Sequence, residues 1–275
     1  MYSLHRISVL ILFIFLPSSV TGINPYHLPV GPAEAGRGSV CIMKPGFWSS
    51  FRNQSLISSY PSLSAGVNYQ NRFNINELGT RAAALIIPVG RTSLGIFYSH
   101  FGFSHFSRET GGVACGLRLS EKISAGIQID YFHEKTSGEY GNNRSVTFEG
   151  GLLITPSGNI TVGIHLFNPV PNSLRGSILP STVTAGAGIE LADGLFAGIE
   201  AEMSTCTTLL LRTGFEYEPA QNLKLRGGFC SENTSFTFGL GYHFRSIDLD
   251  MSFATHQKLG ITTSVSMIFI LRKTD

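Results

Sequence analysis

A strict alternation of apolar and polar side chains recurs along this chain and limits what it can fold into. In residues 123–133, ISAGIQIDYFH, the odd positions from 123 to 131 are Ile, Ala, Ile, Ile and Tyr, and the even positions are Ser, Gly, Gln and Asp. A period of two is that of a β-strand with one apolar face and one polar or small face. The same alternation recurs in residues 63–73, 159–167, 181–191, 195–203 and 234–244. The pattern predicts an all-β protein.

The composition decides which face of these strands meets solvent. Only 14% of the residues are charged, whereas soluble proteins have about 25%. No amphipathic helices are evident to cover so many apolar strand faces, and no run beyond the N-terminus reaches the roughly 18 apolar residues of a spanning helix. A transmembrane β-barrel accounts for the low charge and for the uncovered apolar faces, because lipid contacts the apolar face and the polar side chains point inside. The net charge of +2 is uninformative about nucleic acid, and no basic run or aromatic-basic cluster supports such a partner, so none is predicted.

Three segments follow from these patterns. Residues 1–22 have a basic residue at Arg6, an apolar core and a small-residue cleavage site, so they read as a signal peptide for export. Residues 23–61 lack sustained alternation, with a short strand at most around 39–43 and a loop or short helix over 48–59. Residues 62–275 form the barrel. We therefore expect a protein of a Gram-negative outer membrane.

The number of strands follows from the alternating segments and the turn residues between them. Fourteen strands are predicted, at 63–73, 80–89, 92–101, 113–120, 123–133, 145–154, 159–167, 182–191, 195–203, 207–217, 222–229, 235–244, 247–255 and 261–271. An even number places both ends of the barrel on the periplasmic side. The connections alternate between short ones and longer ones such as 102–112, 134–144 and 169–180, as expected for periplasmic turns and outer loops. A bulge or an extra loop residue is expected at 121–122, where the faces fall out of phase.

Charged residues collect on the predicted interior face. This set has two interpretations: a transport pathway or active site, or an ion-pair network that fills the barrel, which is favoured because buried charges need partners. We expect Glu216 to lie across from Lys224, and Glu200 diagonal to Arg212. The residues predicted to form lumenal ion pairs are Arg72, Arg118, Asp130, Glu149, Glu190, Glu200, Arg212, Glu216, Lys224, Arg226, His243 and Asp248.

The sequence gives little evidence for a metal site or an active site. His243 and Asp248 have the spacing of a hairpin face, so no metal site is predicted, nor any cofactor. No Ser, His and acid arrangement predicts an enzyme. Cys206 and Cys230 fall at the outer end of one predicted hairpin and could form a disulfide in an oxidising compartment. Glycines on the interior face leave room for bulky neighbours such as Phe97, which favours a packed interior over a wide pore.

Residues 31–70 resemble the start of the PorV/PorQ family, which are FadL-like barrels of the Bacteroidota outer membrane. The resemblance rests on Glu34-Ala35-Gly36-Arg37-Gly38, which match an Ala/Gly stretch of that family, and on Asn53 and Leu56, which stand near its Asn-Pro-Ala-Gly-Leu element. Gln54-Ser55 replace Pro-Ala here. The resemblance implies fourteen strands and an N-terminal hatch inside the barrel.

The resemblance implies a function in type IX secretion, as a non-enzymatic accessory that handles or anchors cargo and contacts another outer-membrane or secreted protein. The alternative is a FadL-like channel that takes up or exports a small hydrophobic molecule. The packed, charged interior favours the accessory, whereas an apolar pocket under the outer loops would favour the channel. In either case outer-membrane lipid surrounds the barrel.

We expect residues 23–61 to occupy the lumen as the hatch, with a flexible periplasmic tail as the alternative. Arg37 or Arg52 could balance the acidic residues of the later strands. The residues expected to form the hatch are Gly36, Gly38, Phe47, Trp48, Phe51 and Asn53.

Overall fold

The computed structural model describes residues 31–137, 142–170, 173–174, 177–205 and 209–273. Fourteen antiparallel strands form a closed barrel, so the predicted fold class is confirmed. The predicted signal peptide, residues 1–22, and Cys206 lie outside the described residues. The expected Cys206–Cys230 disulfide therefore stays a prediction.

Each barrel strand pairs with its neighbour in the chain, and β1 pairs with β16 to close the wall. Two short strands, β8 and β9, form a separate hairpin between β7 and β10. The strands are β1 Ser62–Asn71, β2 Gly79–Val89, β3 Thr92–Phe103, β4 Phe106–Arg118, β5 Ile123–Thr136, β6 Asn142–Ser157, β7 Ile160–Phe167, β8 Ser173–Leu174, β9 Ser177–Ile178, β10 Thr182–Ala192, β11 Leu195–Ser204, β12 Leu210–Ala220, β13 Leu223–Cys230, β14 Ser235–Phe244, β15 Ile247–His256 and β16 Gly260–Lys273.

The two faces of the wall differ as the alternation predicts. On β5, Ile127 and Ile129 are 66% and 60% exposed, whereas Gln128 and Asp130 are 1% exposed. The apolar side chains therefore point outward and the polar side chains point into the barrel. None of the helices in the described part of the chain is long and apolar enough to cross a membrane.

The two ends of the barrel have different connections. At the end that holds Ser62 and Lys273, five connections have two residues each and the sixth, between Arg118 and Ile123, has four. The four-residue connection agrees with the extra loop residues expected there. The other end has longer connections, including 72–78 and 168–181. In transmembrane barrels such short turns are typical of the periplasmic end and longer connections of the outer end.

One of the predicted outer loops is wrong. Residues 102–112 do not form a loop, because β3 and β4 continue as a paired hairpin to Phe103 and Phe106. The turn contains only Ser104 and His105. Beyond Tyr98 and Val113 the outward-facing positions of this hairpin are His, Gly, Ser and Glu, so the apolar half of the alternation is lost there although the backbone pairing continues.

The register of one predicted hairpin is confirmed, and that of another is shifted by a bulge. Tyr242 pairs with Leu249 across the turn at 245–246, as expected. Glu216, however, lies opposite Arg226 rather than Lys224. An irregularity between Tyr217 and Ala220 inserts an extra residue in β12 and shifts the pairing.

Residues 31–61, here called the lumenal segment, lie inside the barrel. They form a short helix, α1 Pro32–Gly36, and two 3₁₀ helices, Ser49–Phe51 and Gln54–Ser59. The strand expected around 39–43 is wrong: residues 37–39 form a turn and residues 42–44 form bends. The backbone N–H groups of Cys41 and Ile42 donate to the Glu200 carboxylate instead of to another strand.

Candidate functional site

The candidate site is the barrel interior, where the lumenal segment meets the wall. Inward-facing glycines let the two backbones approach each other closely. A Cβ added at Gly214 would lie 2.0 Å from the carbonyl oxygen of Arg37, and one at Gly228 would lie 2.3 Å from the backbone nitrogen of Gly38. Since real Cβ atoms essentially never come within 3.0 Å of another group, these wall positions accept only glycine while the segment is in place.

One half of the interior is charged, and Glu216 is at its centre. Its Oε2 accepts from Arg37 of the lumenal segment at 2.7 Å and from Arg226 of the wall at 2.6 Å. Lys44 and Lys224 lie 3.6 Å and 3.9 Å from its Oε1. A single buried carboxylate thus joins cations of the segment to cations of the wall. Because buried charges need partners, these contacts hold the segment against β12 and β13.

Arg226 extends this network to β15. Its Nη1 donates to Asp250 at 2.6 Å, and both residues are buried. On the other side, Lys44 donates to Glu190 at 2.9 Å. The Lys44 ammonium also lies 4.3 Å from the centre of the Phe196 ring. The network therefore runs from β10 to β15, with the lumenal segment in contact along its length.

A second set of ion pairs lies on β11 and β12. Arg212 donates to Glu202 at 2.9 Å, and its Nη1 is 3.9 Å from Glu200. Arg52 of the lumenal segment is 3.9 Å from Glu202. Glu200 lies directly opposite Arg212 in the ladder, rather than diagonal to it as predicted. The expectation that Arg37 or Arg52 meets acidic residues of the later strands agrees with these contacts.

A third polar group, on β5 to β7, contains the predicted residues Asp130 and Glu149. Glu149 accepts from Gln54 at 2.8 Å and lies 2.9 Å from Nε2 of His165. Gln128 donates to Asp130 at 2.8 Å. All five side chains are buried. Hydrogen bonds to amides and an imidazole therefore join this part of the wall to the segment.

The remaining predicted lumenal residues lie toward the two ends. At the outer end Arg72 stacks over Phe101, with its guanidinium 5.8 Å from the ring centre. At the short-turn end Arg118 donates to the carbonyl oxygen of Ser58 at 3.0 Å. His243 and Asp248 form a short contact with each other across their turn.

The other half of the interior is apolar and aromatic. Phe47, Trp48 and Phe51 of the lumenal segment pack together, with ring centres 5.1 Å apart for Phe47 and Trp48 and 6.1 Å apart for Phe47 and Phe51. Phe97 of β3 lies 5.5 Å from Phe51. The wall behind them is built from small or aliphatic buried side chains: Ala82, Ala84, Ile86, Ala114 and Ile268. We call this cluster the aromatic seam.

The other predicted hatch residues hold the backbone of the segment. Gly36 packs on Gly239, whose Cα would lie 2.7 Å from a Cβ at Gly36, and Gly38 adopts a φ of +70°. Asn53 donates to the carbonyl oxygens of Ile42 at 2.6 Å and of Leu152 at 3.3 Å. These positions fix the path of the segment rather than offer reactive groups.

The fold is similar to those of a FadL homologue and of two toluene transporters. It matches a Pseudomonas aeruginosa FadL homologue with a TM-score of 0.65 and 13% identity, over 90% of this chain and 99% of that one. The fold is FadL-like. It also matches the Pseudomonas putida toluene transporter TodX (TM-score 0.65, 11% identity, 91% of this chain and 98% of that one) and the Ralstonia pickettii toluene transporter TbuX (0.65, 10%, 88% and 97%). No protein-family model and no curated protein matches the sequence.

Within the FadL-like fold, several residues of the site were not predicted. Glu34 is buried, and burial raises its pKa above the ordinary value. Its Oε1 accepts from the backbone N–H of Ser49 at 3.2 Å. Burial also raises the pKa of the Cys41 thiol to about 12, so this thiol stays protonated. Among the described residues, no group of His, Cys, Asp and Glu is arranged to hold a metal ion.

Proposed function

We propose that this protein is an outer-membrane channel that passes a small hydrophobic molecule along the aromatic seam. The observation that carries the proposal is the division of the interior into a charged half and an apolar half. A hydrophobic molecule gains by leaving water for the apolar half, while the charged half holds the lumenal segment to the wall. The similar structures named as toluene transporters support this class of cargo.

Passage along the seam requires movement of aromatic side chains rather than removal of the whole segment. The contacts of Phe47, Trp48 and Phe51 with the wall are apolar and non-directional, whereas Arg37, Lys44 and Arg52 are held by carboxylates. Apolar contacts can be replaced by those of a hydrophobic guest at little cost, but breaking a buried ion pair is expensive. We therefore expect the guest to move between the segment and β1–β4.

We place the protein in the outer membrane of a Gram-negative bacterium, with the long connections outside. The exposed apolar side chains around the wall and the short turns at one end are typical of such barrels. Assignment to the Bacteroidota and to a PorV/PorQ-like family remains a proposal from the resemblance of residues 31–70.

The secretion accessory, which the sequence favoured, is the weaker candidate. Its support is the packed, ion-paired interior and the resemblance of residues 31–70. The structurally similar proteins are named as transporters and channels, which favours the alternative. A partner protein in secretion or assembly would have to be recovered with the barrel from native membranes for the accessory function to be preferred.

Toluene uptake tests the channel proposal. The protein is produced in the outer membrane of a host without such a channel, and entry of radiolabelled toluene is compared with that of the empty host. Ala84→Phe fills the wall behind the seam and should lower uptake to near the empty-host rate. Ala83→Phe, on the outward face of the same strand, is the matched control and should leave uptake unchanged. Uptake no faster than in the empty host would overturn the proposal for this cargo.

A further inference from the structure

A row of basic side chains crosses the outer surface of β2–β6 near the extracellular end. Ladder pairing puts Arg81 beside His100, His100 beside Glu109, Glu109 beside His133, and His133 beside Arg144. We define the basic rim as Arg81, His100, His133, Lys135 and Arg144. Neighbouring strands are about 4.8 Å apart, so the row from Arg81 to Arg144 spans roughly 19 Å.

The basic rim faces outward from the barrel rather than into it. Arg81 and Arg144 are exposed, while Ala82 and Ser145, their neighbours in sequence, are buried. Lys135 is exposed beside the buried Glu134. One acidic residue, Glu109, lies in the same row between His100 and His133, and its Oε2 is 3.3 Å from Nδ1 of His133. The patch therefore carries an excess of positive charge on the surface that meets the membrane.

The side chains below the rim fix its depth. The next outward row toward the membrane centre contains Tyr98 and Tyr131, and the row after it contains Ile96 and Ile129. Tyrosines at the boundary of an apolar band mark the level of the lipid headgroups. On β3 and β5 the rim residues His100 and His133 lie one row further out than these tyrosines, at the level of the headgroups themselves.

Three strands elsewhere in the described wall carry apolar residues near the same end. The first outward-facing residue from that end of β10, β11 and β14 is Val183, Met203 and Phe236 respectively, each exposed. The positive surface of β2–β6 is thus not continued on these strands. This asymmetry distinguishes it from the general positive charge of an outer surface.

We propose that the basic rim binds the phosphate groups of a phosphorylated glycolipid of the outer leaflet. The proposal rests on the proposed orientation of the barrel in an outer membrane. Arg and Lys are suited to phosphate through charge-assisted hydrogen bonds, and the imidazoles of His100 and His133 add hydrogen-bonding nitrogens. The tyrosine and isoleucine rows below would contact the acyl chains of the same molecule. Charge and depth together favour a lipid over a soluble anion, which would not use the apolar rows.

Lipid binding by the full-length barrel in neutral detergent tests this proposal. Purified protein is titrated with phosphorylated lipid A and, separately, with the same lipid after removal of its phosphates. Arg81→Gln/Lys135→Gln/Arg144→Gln should weaken binding of the phosphorylated lipid by about 100-fold, because each basic residue near an anionic surface contributes roughly fivefold. Arg91→Gln/Lys122→Gln/Arg245→Gln, at the short-turn end, is the matched control and should bind as the unaltered protein does.

The other outcomes have defined meanings. Equal binding of the two lipids, or unaltered binding by the rim variant, would overturn the proposal. Displacement of the lipid by millimolar inorganic phosphate would show a site for free anions and would also overturn it. Gel mobility of unheated samples shows that each variant is folded. Toluene uptake is measured in parallel for the unaltered protein and the rim variant. If neither protein takes up toluene, the proposed channel function is contradicted, whereas the lipid-binding result tests the basic rim alone.

Discussion

The removal of one negative charge from the interior tests how the lumenal segment is held. In Glu216→Gln the side chain keeps its size, but the charge that faces Arg37, Lys44 and Arg226 is lost. Removal of one partner from a buried ion pair costs about 3–5 kcal/mol, because the other charge stays buried without compensation. The amide oxygen of Gln can still accept one hydrogen bond, so we expect about 3 kcal/mol, at the lower end of that range.

The free energy of unfolding is measured by denaturant titration of the barrel in lipid or detergent. Glu218→Gln is the matched control, since Glu218 lies two residues further along β12, is exposed, and should change stability by no more than about 0.5 kcal/mol. A double variant with Arg37→Gln should recover part of the loss, with a coupling energy of roughly 1–2 kcal/mol. If Glu216→Gln costs no more than Glu218→Gln, this account of the segment is refuted.

Three other perturbations follow from the structure. Ile127→Arg or Leu240→Arg should lower the free energy of unfolding by about 2–4 kcal/mol, because an Arg that faces lipid near the bilayer midplane destabilises a barrel by that amount. Unchanged denaturant midpoints for both variants would reverse the assignment of the two faces. Gly214→Val should displace the lumenal segment and expose it to protease, whereas Gly150→Val, whose Cβ would have no neighbour closer than 3.9 Å, should not. In a variant with Cys41 as its only cysteine, the thiol should resist iodoacetamide at pH 8 until the barrel unfolds, since its pKa of about 12 leaves little thiolate; fast labelling of the folded barrel would show that Cys41 is accessible.

The barrel could be predicted because its signal is local. Each strand carries its own alternation, and the two-residue turn at 245–246 fixes the register of its hairpin, as for Tyr242 and Leu249. The prediction failed where local alternation fails. Beyond Tyr98 and Val113 the outward-facing positions of β3 and β4 are His, Gly, Ser and Glu, so residues 102–112 resemble a loop although they are paired.

The interior could be predicted only in part, because its contacts join residues that are far apart in sequence. The sequence shows that Gly214 and Gly228 are small, but not that the backbone of residues 37–38 fills the space they leave. It shows that Glu216 needs a cation, but the bulge in β12 decides that Arg226 rather than Lys224 lies opposite it. The basic rim was not predicted from the sequence. Its residues are distant in sequence, and each is a single basic residue at the end of an otherwise apolar outward face.

The conductance of the barrel with and without the lumenal segment tests the central claim most directly. The intact protein and a variant lacking residues 23–59 are inserted in planar lipid bilayers, and ion current is recorded under the same voltage. The wall is lined by glycine, serine and charged side chains that would hold water once the segment is gone. We predict that the intact barrel passes almost no current and that the deletion variant forms open, steady pores. Equal currents from the two proteins would contradict the claim that residues 31–61 fill the lumen.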